Sequence, residues 1–93
     1  MTKKILILPG DGIGQEVTAA AKEVLDYLMA ENNLDFSITH MDVGGTAFEK
    51  SGSPLPDEVL SEAKASDAVL FGAVGAPQWD DLEWEHRPEQ ALL

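Results

Sequence analysis

Ile5-Leu6-Ile7-Leu8 is an unbroken apolar run, ended at once by Pro9-Gly10. Four apolar residues with no polar residue between them suit a strand covered on both faces, the situation inside a parallel sheet. Parallel strands need crossover connections of about a dozen residues or more, so this run constrains what must follow it. The next segment supplies such a connection. Val17, Ala20, Ala21, Val24, Leu25, Leu28 and Met29 recur at helical spacing, with Lys22, Glu23 and Asp26 on the other side. The pattern predicts an amphipathic helix with a continuous apolar stripe. Glu16 falls in its first turn, where a negative charge suits the helix dipole, and Asn32-Asn33 makes a stop.

Leu34, Phe36, Ile38 and His40 alternate with Asp35, Ser37 and Thr39, which predicts a second strand. Asp42-Val43-Gly44-Gly45 breaks it, and Thr46 to Lys50 fits a short helical turn. A second helix opens near Asp57, with Val59, Leu60 and Ala63 on its apolar face, and stops at Ser66-Asp67. Ala68-Val69-Leu70-Phe71 reads as a third buried strand halted at Gly72. A loop follows from Gly75 to Arg87, and Pro88 fits the first position of a further helix. The order strand, helix, strand, helix, strand predicts an α/β fold with parallel strands alternating with helices. Such a sheet wants more cover than two helices give, so residues 1–93 read as the N-terminal part of a longer domain.

Composition narrows the function classes. The 93 residues hold 17 Asp plus Glu against 6 Lys plus Arg, a formal net charge of −11. Such a surface repels nucleic acid and anionic membrane, since phosphate binding needs clustered cations. With no cysteine, disulfides, thiolate metal sites and cysteine nucleophiles are excluded. Met1-Thr2-Lys3-Lys4 followed by four apolar residues has the outline of a leader, but the run is too short for a signal sequence or a membrane span. A soluble cytoplasmic protein is expected.

Two glycine-rich turns follow predicted strands. Gly10-Asp11-Gly12-Ile13-Gly14 lies between the first strand and the first helix. Glycines there permit positive φ and close approach of backbone to a ligand, and a helix N-terminus behind them favours an anion or a hydrogen-bonding cofactor. The dinucleotide fingerprint would need glycine at Gln15, and the phosphate-binding loop ending in Gly-Lys-Ser/Thr is missing too. The turn alone fits a structural role as well as a binding one. Gly72-Ala73-Val74-Gly75-Ala76-Pro77 follows the third strand. With parallel strands both turns lie at the carboxyl edge of the sheet, where open α/β sheets bind ligands. Next comes Gln78-Trp79-Asp80-Asp81-Leu82-Glu83-Trp84-Glu85-His86-Arg87. A tryptophan in a loop is expected to cover a core or a ligand. Asp80, Asp81, Glu83 and Glu85 read as a solvated acidic loop rather than a metal cluster. Arg87 and Glu89 could pair with each other or with a ligand, and Leu92 and Leu93 read by pattern as core.

Taken in order, four segments resemble the β-decarboxylating dehydrogenases, the family of the isocitrate, isopropylmalate, homoisocitrate and tartrate dehydrogenases. They are Ile5 to Val17, Asp42-Val43-Gly44-Gly45 with Gly52-Ser53-Pro54-Leu55-Pro56, Asp67 to Pro77 with Trp79-Asp80, and Arg87-Pro88-Glu89 with Leu92-Leu93. The last segment points to members that act on 3-isopropylmalate. Gln15, Ala76 and Gln78 stand where the family commonly has proline, glycine and lysine. The resemblance implies a two-domain α/β fold that is not a Rossmann domain, with residues 1–93 in the first, cofactor-side domain. It implies NAD-dependent oxidation and decarboxylation of 3-isopropylmalate in leucine biosynthesis, by a cytoplasmic homodimer that uses Mg²⁺ or Mn²⁺. It places Ala76, Pro77, Gln78, Trp79, Asp80, Asp81, Leu82, Arg87, Pro88 and Glu89 along NAD, with Ile13 near its adenine end. Glu89 is expected between nicotinamide ribose and substrate. Leu92 and Leu93 are expected around the isopropyl group, which gains about 0.8 kcal/mol per buried CH₂. The family's substrate-binding arginines, its catalytic tyrosine and lysine and its metal-binding aspartates match positions beyond Leu93. No catalytic residue and no metal ligand is therefore assigned within the chain, which is expected to be inactive alone. Another hydroxy diacid, or a short acidic binding module, stays open as an alternative.

Overall fold

A computed structural model describes residues 2–93; Met1, the first residue of the leader-like stretch, lies outside them. The elements run β1 (Lys3–Gly10), α1 (Ile13–Asn32), β2 (Phe36–His40), α2 (Gly45–Ser51), α3 (Asp57–Ala65) and β3 (Ala68–Ala73). Three 3₁₀ turns follow, at Pro77–Trp79, Trp84–His86 and Pro88–Leu92. The strands form one parallel sheet in the order β2-β1-β3. Lys3 is level with Phe36 in one pairing and Ile5 with Ala68 in the other. β1 is central, and Leu6, Ile7 and Leu8 are 0%, 0% and 3% exposed. The apolar run is covered on both faces, as its lack of alternation requires.

The chain steps from β1 to β2 on one side and returns past β1 to β3 on the other. That reversal puts α1 and α3 on opposite faces of the sheet. On the α3 face Leu6, Leu8, Val43 and Val59 form the core, with Met41, Leu55, Ala63, Phe71, Val74 and Ala91 packed against it. On the other face α1 lies against β1 and β3. Its cover is uneven. Gly14 and Thr18 are buried, Ala21, Leu25 and Met29 half-buried, and Val17, Ala20, Val24 and Leu28 exposed. The apolar stripe is wider than the line that touches the sheet. Ile5, Ala21, Val24, Leu25, Leu28 and Leu70 instead border an open groove of about 330 Å³.

Three expected boundaries move. Gly72 does not halt β3, which continues to Ala73. A Cβ at Gly72 would stand 2.5 Å from the Thr18 hydroxyl, so glycine admits the helix to the sheet there. β2 starts at Phe36, because the Leu34 amide is taken up by the Met29 carbonyl where the chain leaves α1 through Asn33 in the left-handed conformation, and Asp35 meets β1 only through its carbonyl, which accepts from the Lys3 amide. Thr46 to Lys50 extends to a seven-residue helix. Among the described residues no helix is long and apolar enough to cross a membrane.

Candidate functional site

Both glycine turns leave the sheet at its carboxyl edge, one after β1 and one after β3, and they face each other. A Cβ at Gly12 would lie 3.8 Å from the Gly75 carbonyl oxygen. Strand order reverses between β1 and β3, so the crevice there is the location that open α/β sheets use for ligands. α1 begins at this crevice with no side-chain cap at Gly12, and Ile13 beside it is 66% exposed. An exposed apolar side chain next to amides at a helix N-terminus can meet an aromatic ring and hydrogen-bonding groups together. Glu89 closes the other side. A Cβ at Gly75 would sit 3.3 Å from Glu89 Oε2 and 3.6 Å from its Cδ, so the carboxylate lies over Gly75.

The loop from Ala76 to Glu89 is anchored rather than free. Trp79 is 7% exposed, and its ring lies flat against Gly45, where a Cβ would collide with the six-membered ring. The other tryptophan, Trp84, is 63% exposed. His86 rests near Phe48, ring centroids 5.5 Å apart. Arg87 donates from Nε to the Leu82 carbonyl at 3.0 Å, and so spans its own loop instead of pairing with Glu89. Pro88 is fully buried, and Ala91 packs on the core of the α3 face.

The structure thus brings Gly12, Ile13, Gly75 and Glu89 to one crevice. Pro77, Gln78, Asp80 and Asp81 are exposed along the loop, while Ala76 and Leu82 are partly covered. Leu92 and Leu93 correct the reading by pattern: they are 62% and 87% exposed and not core. In the same 3₁₀ turn Pro88 is buried and Ala91 is partly buried against the core. Asp80, Asp81, Glu83 and Glu85 are all exposed, and among the described residues no three acidic or histidine side chains converge as a metal site. These residues do not fit Mg²⁺ or Mn²⁺. The glycine crevice does fit one end of a dinucleotide such as NAD, because its backbone can be approached closely and Ile13 offers an apolar face.

Sequence reasoning gave Asp11 no role, yet it is the most connected residue of the site. It is 1% exposed, and its carboxylate oxygens accept hydrogen bonds from the start of α2 and from the loop after β3. The signal available was weak: a carboxylate set between two glycines at a strand end, in a turn whose glycines drew the attention.

A parallel α/β sheet with a crevice between reversed neighbours is a doubly wound architecture, whose ligand sites lie at the carboxyl edge. The particular family follows from comparison. The profile of the isocitrate/isopropylmalate dehydrogenases matches residues 4–93, and the chain belongs to that family. It is 55% identical over all 93 residues to the 3-isopropylmalate dehydrogenase of Hydrogenovibrio crunogenus and 54% identical to that of Xanthomonas euvesicatoria pv. vesicatoria. It spans only 26% of the length of each. Among solved structures, the β-decarboxylating dehydrogenase of Thermococcus kodakarensis superposes with a TM-score of 0.70 at 38% identity. That match covers 86% of this chain and 22% of the other. Isocitrate dehydrogenase of Methylococcus capsulatus gives 0.73 at 29% identity, over 88% of this chain and 22% of the other.

Proposed function

We propose that residues 1–93 form the N-terminal part of the cofactor-side domain of an NAD-dependent 3-isopropylmalate dehydrogenase. The observation that carries this reading is the meeting of Gly12, Gly75 and Glu89 at one crevice, with Ile13 exposed on one side. The 55% identity to an enzyme of that name supports it. Bound NAD would supply the acceptor for a hydride from the hydroxyl-bearing carbon of the substrate. Ile13 covers the adenine end, the Ala76–Glu89 loop lines the cofactor, and Glu89 meets the nicotinamide ribose and substrate. Leu92 and Leu93, exposed in this chain, enclose the isopropyl group. A polar replacement forfeits part of about 0.8 kcal/mol per buried CH₂, and selectivity falls with it. The groups that hold the substrate carboxylates, move the proton and ligate Mg²⁺ or Mn²⁺ are supplied by other parts of a longer polypeptide. That polypeptide acts in leucine biosynthesis, in the cytoplasm, as a homodimer.

The test is a chimera in which residues 1–93 replace the matching segment of the Hydrogenovibrio crunogenus enzyme. NADH formation from 3-isopropylmalate at a rate near that of the parent is expected, with none from the 93-residue chain alone. Leu92→Ser in the chimera is expected to lower kcat/KM for 3-isopropylmalate about tenfold, the cost of one to two unburied methylenes. An inactive but folded chimera sinks the reading, and so does one that prefers tartrate or homoisocitrate.

A further inference from the structure

Asp11 is buried without a cation: among the described residues the ion pairs join Lys4 to Glu62, Lys22 to Asp26 and Lys50 to Asp42. A carboxylate taken out of water in this way is tolerated only if its lone pairs are filled by donors. Four donors fill them. Oδ2 accepts from the amides of Gly45 at 2.8 Å and Gly75 at 2.9 Å. Oδ1 accepts from the Thr46 amide at 2.8 Å and the Thr46 hydroxyl at 2.9 Å. The Asp11 amide in turn donates to the Ala73 carbonyl at 2.7 Å.

One side chain therefore ties the turn after β1 to the start of α2 and to the loop after β3. Both of these tie points bear on the loop. Gly45 is the residue on which the Trp79 ring rests, and Gly75 is the residue over which the Glu89 carboxylate lies. We propose that Asp11 is a positioning residue, whose carboxylate clamps the Gly75–Glu89 loop and so sets cofactor affinity without touching the cofactor. This rests on the dehydrogenase reading. It goes beyond that reading, because the family's site residues as assigned above do not include Asp11. A group that merely stabilised the whole fold would lower the melting temperature and leave affinity alone. A clamp changes KM for NAD more than kcat and loosens one loop selectively.

The experiment uses the chimera carrying Asp11→Asn, Thr46→Val or Thr46→Ser. Asparagine keeps the shape but turns one acceptor into a donor that faces amide N–H groups. Thr46→Val removes only the hydroxyl, and Thr46→Ser restores it. For Asp11→Asn, KM for NAD is expected to rise about tenfold or more, the effect of one lost charge-assisted hydrogen bond, with kcat within about threefold. Thr46→Val is expected to raise KM about two- to fivefold and Thr46→Ser to leave it unchanged. Amide exchange of peptides within 75–89 is expected to quicken selectively, while β1 and α3 peptides keep their rates. An unchanged KM for NAD, or exchange that rises uniformly, overturns the clamp. If Asp11→Asn does not fold, the Thr46→Val and Thr46→Ser pair decides by the same criteria. If the unsubstituted chimera makes no NADH, the functional reading has failed, whereas a loop that stays rigid in an active chimera refutes the clamp alone.

Discussion

Gly45→Ala tests the packing that anchors the loop, because two opposed effects predict opposite signs. Gly45 is the first residue of α2, and its φ lies outside the positive range, so alanine there strains no backbone. At such a site alanine gains about 0.7 kcal/mol over glycine, through helix preference and a less free unfolded chain. Against this, the new Cβ would run into the Trp79 ring. Trp79 is only 7% exposed, so its ring is held by its surroundings and overpacking of about 2 kcal/mol is expected. The net is a loss of about 1.3 kcal/mol. In a Trp79→Leu background the collision is relieved and the same substitution gains its about 0.7 kcal/mol. The change of sign is the signature, a coupling of about 2 kcal/mol across the pair. Equilibrium urea unfolding of the four proteins, followed by far-UV circular dichroism, measures it. The reasoning is refuted if Gly45→Ala stabilises the unsubstituted protein, or shifts the midpoint equally in both backgrounds.

The other predictions use the same unfolding assay unless stated. Leu6→Ala, at a fully buried position of β1, is expected to cost about 2–5 kcal/mol, and Val17→Ser, 47% exposed on α1, less than about 0.5 kcal/mol. Equal costs would mean that the helix stripe is buried after all. Gln90 Nε2 is enclosed with no hydrogen-bond partner among the described residues, so Gln90→Met should stabilise by about 1 kcal/mol by removing an unsatisfied donor at similar length; a loss would show that the amide is paired. Arg87→Lys removes the Nε bond to Leu82 and should quicken proteolysis within 82–87 severalfold, with unchanged cleavage there counting against that bond as a tie.

How far the fold was legible depends on what each residue type reports. The Ile5–Leu8 run and the strand–helix alternation report the kind of sheet, because burial on both faces leaves no alternation in β1. They could not report the tilt of α1. Val17, Val24 and Leu28 have the spacing of a buried stripe, yet the sheet reaches only the line through Gly14, Thr18, Ala21 and Leu25. Gly72 looked like a strand stop because glycine serves both turns and close approaches, and only its neighbours in the fold, the Pro9 carbonyl and the Thr18 hydroxyl, distinguish them. At the site, the carboxyl-edge position of both glycine turns followed from parallel order alone. Leu92 and Leu93 read as core by pattern, yet they stand exposed at the end of this chain. Asp11 was invisible for a different reason. Its partners lie 34, 35 and 64 residues away in sequence, and no local pattern encodes a tie across such distances.

Those same separations impose an order on how the chain can acquire its shape. As the chain lengthens during synthesis, Gly45 and Thr46 emerge before Gly75. Until β3 seats, Oδ2 of Asp11 has one of its two backbone donors, and water must supply the other. Closing the longer loop costs only about 0.6 kcal/mol more than closing the shorter one, since loop entropy grows with the logarithm of length. The last bond is thus decided by alignment more than by distance. A β3 seated one residue out of register would send its side chains to the wrong faces and carry the Gly75 amide away from Oδ2. A charge would then be drying out with too few donors, and such an arrangement would come apart. A misregistered β3 would thus carry the penalty of a buried carboxylate short of one donor, about 1–3 kcal/mol in favour of the native register.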